Sequence, residues 1–204
     1  MTMKLNETLW ANHQYEILVS FIHHLAYWWC SHEAYSRSGT HSELWIRTID
    51  AYLLRAVVDW CMIFGADSNE IHWKKVVPDK SDQEDFRSHL LADLGMTEAE
   101  WRDYWSGMTT FRNDFAAHRP AKSPHPSVPK METAFRAVIT YDEWLRGKMH
   151  AGFDFVVNEP ILLDRYHRLM RTSAESFEKM IQIGPTVDEA STNSARQGTN
   201  RTTT

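Results

Sequence analysis

The sequence predicts an all-α fold, an up-and-down bundle of five to six helices, and three observations carry that reading. Apolar residues recur at steps of three and four along most of the 204-residue chain, the period of helices with one buried face. Helix start and stop signals bracket the periodic stretches. Only 8 Gly and 7 Pro occur, too few for the turns that a β-sandwich or barrel needs every few residues.

The first helix spans Asn6–Tyr35, with Tyr15, Leu18, Ile22, Leu25 and Trp29 on one face, and Ser36–Gly39 breaks it. Thr40 with Glu43 predicts a capping box at the start of a second helix. Its stripe is Trp45, Ile49, Leu53, Ala56, Trp60 and Ile63, and Gly65 stops it. Asp67–Lys80 reads as a connection anchored by Trp73. Ser81 with Glu84 predicts a second box, ahead of Phe86, Leu90, Leu94 and the stop at Gly95; Thr97 with Glu100 predicts a third. Pro120–Pro129 holds four prolines and is not helix. A fifth helix runs from Lys130 to Met149 with Phe135, Val138, Tyr141 and Leu145 inward. After a loop over Gly152–Asn158, a sixth runs from Pro160 to Ile183 with Leu162, Tyr166, Leu169 and Phe177 inward. These elements make one helical domain, 1–184. Pro185–Thr204 is polar, with Val187 almost its sole apolar residue, and is expected to be a disordered tail.

Composition excludes several classes. Two cysteines, Cys30 and Cys61, cannot staple a fold or form a CxxC metal site; they fit a reducing compartment and read as buried, inert thiols. The amino end shows no signal-peptide pattern and no apolar run approaches a membrane span, so the expectation is a cytoplasmic protein with no membrane partner. A net charge of −5 argues against general nucleic-acid coating, though not against a small site. P-loop, GxGxxG and nucleophile-elbow motifs are absent.

The informative segment is TEAEWRDYWSGMTTFRNDFAAHRP. At about 100° per residue, Trp101, Trp105, Met108, Phe111 and Phe115 form one apolar stripe, running straight through Gly107. Arg112 falls at about 20° from Trp101, inside that stripe. A guanidinium there needs a carboxylate, an interface or a ligand anion. His118 lies six residues on, at the carboxyl end of the helix. Two readings stay open from pattern alone. In one, Arg112 makes a buried salt bridge, to Asp50 or Asp59 for example, and His118 caps the helix. In the other, both border a functional groove.

The run Arg112, Asn113, Asp114, Phe115, Ala116, Ala117, His118 resembles the Arg-x4–6-His motif of the HEPN superfamily, and FRNDFAAHR is similar to its abortive-infection branch. The all-helical context over roughly residues 5–183 is similar too. The resemblance implies a HEPN-like bundle acting as a metal-independent endoribonuclease, with two protomers placing two Arg…His motifs on one cleft. It implies Arg112 and His118 as catalytic residues and Asn113 as a helper that orients the His or holds a phosphate oxygen. It implies no cofactor and no metal, RNA as substrate, a homodimer, and a possible antitoxin partner in toxin–antitoxin or anti-phage defence. Two alternatives stand beside it: a catalytically silent HEPN bundle serving as an interaction module, and a metal-dependent bundle hydrolase using scattered histidines such as His24, His72 and His167. His13 with Glu16 is a lone His-x-x-Glu without the second copy that a di-metal bundle needs. Residues 112–148 carry a surplus of cations and 66–100 a surplus of carboxylates, which predicts a positive side around the motif. Most of the nine tryptophans are expected in the core or at a dimer interface.

Overall fold

The computed structural model describes residues 5–117, 127–152 and 160–183. Its elements are α1 (Glu7–Leu9), a π-helical turn (Trp10–Gln14), α2 (Tyr15–Ser38), α3 (Glu43–Phe64), α4 (Trp73–Val76), α5 (Lys80–Leu94), α6 (Glu98–Phe111), a second π-helical turn (Arg112–Ala117), α7 (Met131–Gly152) and α8 (Leu162–Ile183). Among the described residues there is no strand, so the fold is all-α. The expected polar tail, residues 153–158 of the expected loop and most of the proline-rich segment lie outside the described residues.

The stripes read from the sequence face inward, Trp29 and Trp45 only in part. Tyr15, Leu18, Ile22 and Leu25 of α2 are buried, as are Ile49, Leu53, Ala56, Trp60 and Ile63 of α3. Val138, Tyr141 and Leu145 of α7 join the same core, with Phe135 half-buried against it. On α8, Leu162 and Phe177 are buried, while Tyr166 and Leu169 pack on the core more shallowly.

Helix starts differ from expectation at two of three places. α3 begins at Glu43 behind Ser42, which makes no side-chain cap, so the Thr40 box does not form. Glu43 is therefore the first helical residue rather than the third, and its carboxylate takes Arg47 one turn on at 3.0 Å. α5 begins one residue before Ser81. Asp79 is its N-cap, with Oδ1 accepting from the Ser81 backbone N–H at 2.8 Å and from its hydroxyl at 2.7 Å. A carboxylate in that place also meets the positive end of the helix dipole. The third box is as read: Thr97 accepts from Glu100 N–H, and Glu100 accepts from Thr97 N–H.

Side-chain pairings define the packing. Ser20 meets Asp59 and Tyr27 meets Tyr52, so α2 and α3 are antiparallel. Cys61 lies by Met108 and Phe64 by Trp105, which makes α3 and α6 antiparallel. Asp85 pairs with Lys148 and Asp93 with Arg136, so α5 and α7 are antiparallel as well. α7 runs against α2, through Trp29–Phe135 and Tyr141–Gln14, and against α8, through Phe135–Tyr166 and the bond from Leu162 N–H to Asp142. One seam departs from the expected antiparallel neighbours. Tyr15 donates to Pro160, Cys30 meets Met170, and Arg37 pairs with Glu178 at 2.6 Å, so α2 and α8 run parallel. Both are antiparallel to α7, and that alone forces it.

A buried polar strut joins the N-terminal turn to α7. Arg146 is 8% exposed and donates through Nε to Asp142 Oδ2 at 2.9 Å and through Nη2 to the Pro160 carbonyl. Its guanidinium lies 5.4 Å from the Trp10 ring centroid and 5.8 Å from that of Tyr15. Beside it the Tyr141 hydroxyl donates to Gln14 Oε1, and Gln14 Nε2 donates to the Ile71 carbonyl. Burial pushes the Asp142 carboxyl up despite the arginine.

Trp73 anchors the connection between α3 and α5, as expected, but His72 beside it is at least as buried, at 1% exposed. His72 Nδ1 caps α4 by accepting from Lys74 N–H, and the ring also bonds the Gly65 backbone. Burial holds its pKa down to about 4, against the pull of Asp67 at 3.5 Å and with the help of Lys74 and Lys75. The folded form thus binds a proton less readily than the unfolded chain. The stability contributed by the neutral ring is complete above about pH 6.5 and is lost as pH falls towards about 4, a total of roughly 3 kcal/mol. His72→Asn keeps a good N-cap. Denaturant titrations from pH 7 to pH 4 are expected to show a smaller acid loss in that variant than in the parent.

Candidate functional site

The helix that presents the motif is fixed by its stripe. Met108 is fully buried and Phe111 nearly so, while Trp101, Trp105 and Phe115 pack on the same core less deeply. Trp105 Nε1 donates to the Phe64 carbonyl at 2.7 Å, pinning α6 to the end of α3. Helical winding passes through Gly107, as expected, and changes from α to π at Arg112. Such π turns carry one extra residue in each hydrogen-bonded ring and are frequent at functional sites.

Arg112 opens that turn and is half-buried rather than sealed in the core. Its Nε and Nη2 both donate to Asn113 Oδ1, at 3.1 and 2.7 Å. No carboxylate among the described residues pairs with it. The two candidates for a buried salt bridge are otherwise placed: Asp50 is exposed, and Asp59 is held by Arg55 at 3.0 Å, by the Ser20 hydroxyl at 2.7 Å, and near His24. Among the described residues, then, the salt-bridge account of Arg112 finds no partner. Guanidinium carries five N–H donors, and Asn113 uses two, so the other face of the fork is unspent. Asn113 is exposed and acts on Arg112, its neighbour, where an ideal helix would have pointed it away. His118 lies outside the described residues.

Beneath Arg112 lies Cys61, fully buried, with its Sγ 3.9 Å from the Met108 carbonyl. Burial pushes its thiol up to about 12, only partly opposed by the field of Arg112. Cys30 is buried too and its pKa is raised, so neither thiol is a nucleophile at neutral pH.

Packing neutralises part of the expected positive side, and Arg119 and Lys122 lie outside the described residues. α5 supplies carboxylates to α7: Asp85 takes Lys148 and Asp93 takes Arg136, while Arg146 is spent on Asp142. The described parts of the acidic and basic segments thus face each other across α5 and α7.

The three histidines named for a metal site do not converge. His24 Nδ1 bonds the Ser20 carbonyl at 2.7 Å, His72 caps α4, and His167 is exposed on α8. Among the described residues no three His, Cys, Asp or Glu side chains are grouped to hold a metal ion. Among those same residues, no helix is long and apolar enough to cross a membrane.

A concavity of about 340 Å³ lies on the N-terminal half of α6, between α5 and the loop after Gly65. Trp73, Trp101 and Trp105 wall it, with Arg87 and Arg102 at its mouth. No motif marks it in the sequence; its one signal is the density of Trp between residues 60 and 105, which reads as core. Gly65 on its floor is required by contact: a Cβ there would stand 2.3 Å from the Cys61 carbonyl oxygen.

No protein-family model matches the chain, and comparisons with curated proteins and with solved structures find no similar chain.

Proposed function

We propose that this chain is a HEPN-type, metal-independent endoribonuclease working as a homodimer, with Arg112 and His118 at the reacting phosphate. The observation that supports it most is Arg112 itself: a half-buried cation without a described carboxylate partner, oriented by Asn113, six residues before a histidine. A planar fork with donors to spare suits two phosphate oxygens.

RNA brings its own nucleophile. The 2′-oxygen attacks the adjacent phosphorus, its proton passing to a base; the bond to the 5′-oxygen breaks, and an acid protonates that oxygen. The products are a 2′,3′-cyclic phosphate and a 5′-hydroxyl. Histidine serves either proton role near neutrality. With two motifs on one cleft, one copy of His118 acts as base and the other as acid, and Arg112 offsets the charge gathering on the phosphorane. Toxin–antitoxin or anti-phage defence is the setting proposed for such an enzyme.

The test is cleavage of an RNA pool in EDTA, with the product ends identified by mass. Cyclic-phosphate ends that persist in EDTA and vanish in His118→Ala are the expected result. Activity restored only by zinc or manganese would move the protein to the metal-dependent class. Absence of cleavage, or a protein strictly monomeric by sedimentation equilibrium, would leave the silent interaction bundle.

A further inference from the structure

The cleft on the N-terminal half of α6 has a chemistry of its own. Its walls are aromatic: Trp73 is buried at the back, 4.9 Å from the Phe86 centroid, and Trp101 and Trp105 line it half-buried, Trp101 also packing on the Trp60 and Tyr104 rings at 6.0 and 5.8 Å. Its rim is cationic. Arg87 lies 5.9 Å from the Trp73 centroid, and neither Arg87 nor Arg102 has a carboxylate within ion-pair distance among the described residues. Lys74 also lines the cleft but is tied to Asp67. The lining carboxylates are that same Asp67 and the exposed Glu98. His72 brings no charge, since burial keeps it neutral at pH 7. The volume matches a small-ligand pocket.

We infer that this cleft is a nucleoside-phosphate subsite, in which Trp101 and Trp105 stack a base while Arg87 and Arg102 hold its phosphate. Aromatic faces accept any base by stacking, and arginine adds phosphate contacts. A wholly apolar ligand would leave two unpaired guanidinium groups at the mouth. An aliphatic anion would leave the indole faces unused.

Its position relates it to the proposed reaction. Trp105 and Arg112 are seven residues apart on one helix, two turns or about 10 Å, and come back to nearly the same face. A single strand with its scissile phosphate at Arg112 therefore reaches the cleft within a few nucleotides. Naming RNA as the source of the nucleotide rests on the ribonuclease reading; the subsite itself does not.

Tryptophan fluorescence tests it in the full-length protein, titrated with AMP, with ribose 5-phosphate, with inorganic phosphate, and with an eight-nucleotide RNA that carries 2′-O-methyl groups to prevent cleavage. Quenching by AMP, at least tenfold weaker with the two baseless phosphates, is expected. The Arg87→Ala/Arg102→Ala variant should weaken AMP binding at least tenfold with an unchanged Tm. Trp101→Leu should remove most of the quenching, and Arg112→Ala should leave AMP binding intact. An oligonucleotide bound at least tenfold more tightly than AMP identifies RNA as the source; equal affinities identify a free nucleotide. Absence of quenching by both, or quenching indifferent to Arg87 and Arg102, overturns the subsite. Because the assay does not read cleavage, an inactive protein that binds AMP refutes only the ribonuclease, and an active one that does not refutes only the cleft.

Discussion

Arg112→Ala is expected to lower RNA cleavage by at least about 100-fold, the scale on which a lost transition-state donor is felt. Melting temperature and helicity should hardly change, because the half-buried side chain makes its described bonds only to its neighbour Asn113. Arg112→Lys keeps the charge and loses the fork, so it should recover only part of the rate. Asn113→Ala tests positioning: the guanidinium stays but is released, and a loss of about tenfold in kcat with little change in RNA affinity is the expected pattern. Two copies of Arg112 across a two-fold would repel each other until an anionic strand arrives. RNA binding should therefore weaken with salt, and less steeply in the alanine variant. An alanine variant that cuts at the parent rate would sink the catalytic role.

The second large effect is on stability. Arg146→Met should cost about 3–5 kcal/mol, because it strips Asp142 of its cation in a place where water cannot replace it. For a chain of this size that is roughly 10 °C in Tm. Asp142 is already driven towards its neutral form by burial, and losing Arg146 would push it further. The double variant Arg146→Met/Asp142→Leu removes both charges and should regain much of the loss, since a buried pair is often replaced by apolar side chains at little cost. Urea titrations of the three proteins decide it. A single variant within about 1 kcal/mol of the parent, on the ordinary scale of neutral substitutions, would show that the strut carries little.

Much of this architecture is legible in the sequence because burial writes a period. The stripes of α2, α3, α6 and α7 are runs of large apolar residues that solvent would exclude in any arrangement, and they are the faces found inside. Caps are less legible, since several oxygen-bearing side chains compete near each start. Asp79 wins α5 over Ser81, and Thr40 loses α3 because the helix begins three residues later. The parallel seam of α2 and α8 has no local signature; it follows from α7 lying beside both. Arg146, Asp142 and Gln14 sit at apolar positions through a strut whose Gln14–Tyr141 bond spans over a hundred residues of sequence, which no helical wheel contains. Arg112 is conspicuous for the same reason, a cation in an apolar stripe. Its relief by Asn113 is hidden, because periodicity assumes α winding and the chain turns to π there.

The seam between α2 and α8 bears on how the protein is made. Tyr27, Cys30 and Ala34 of α2 are covered by Phe177 and Ile181 of α8, the last described helix. At ordinary elongation rates the ribosome needs on the order of ten seconds to get from one to the other. Throughout that interval an aromatic strip on a finished helix lacks its cover, and the nascent chain is both sticky and incomplete. Messages broken upstream of α8 would yield products that aggregate or are degraded rather than stable fragments. A finished bundle exists only once α8 has left the ribosome.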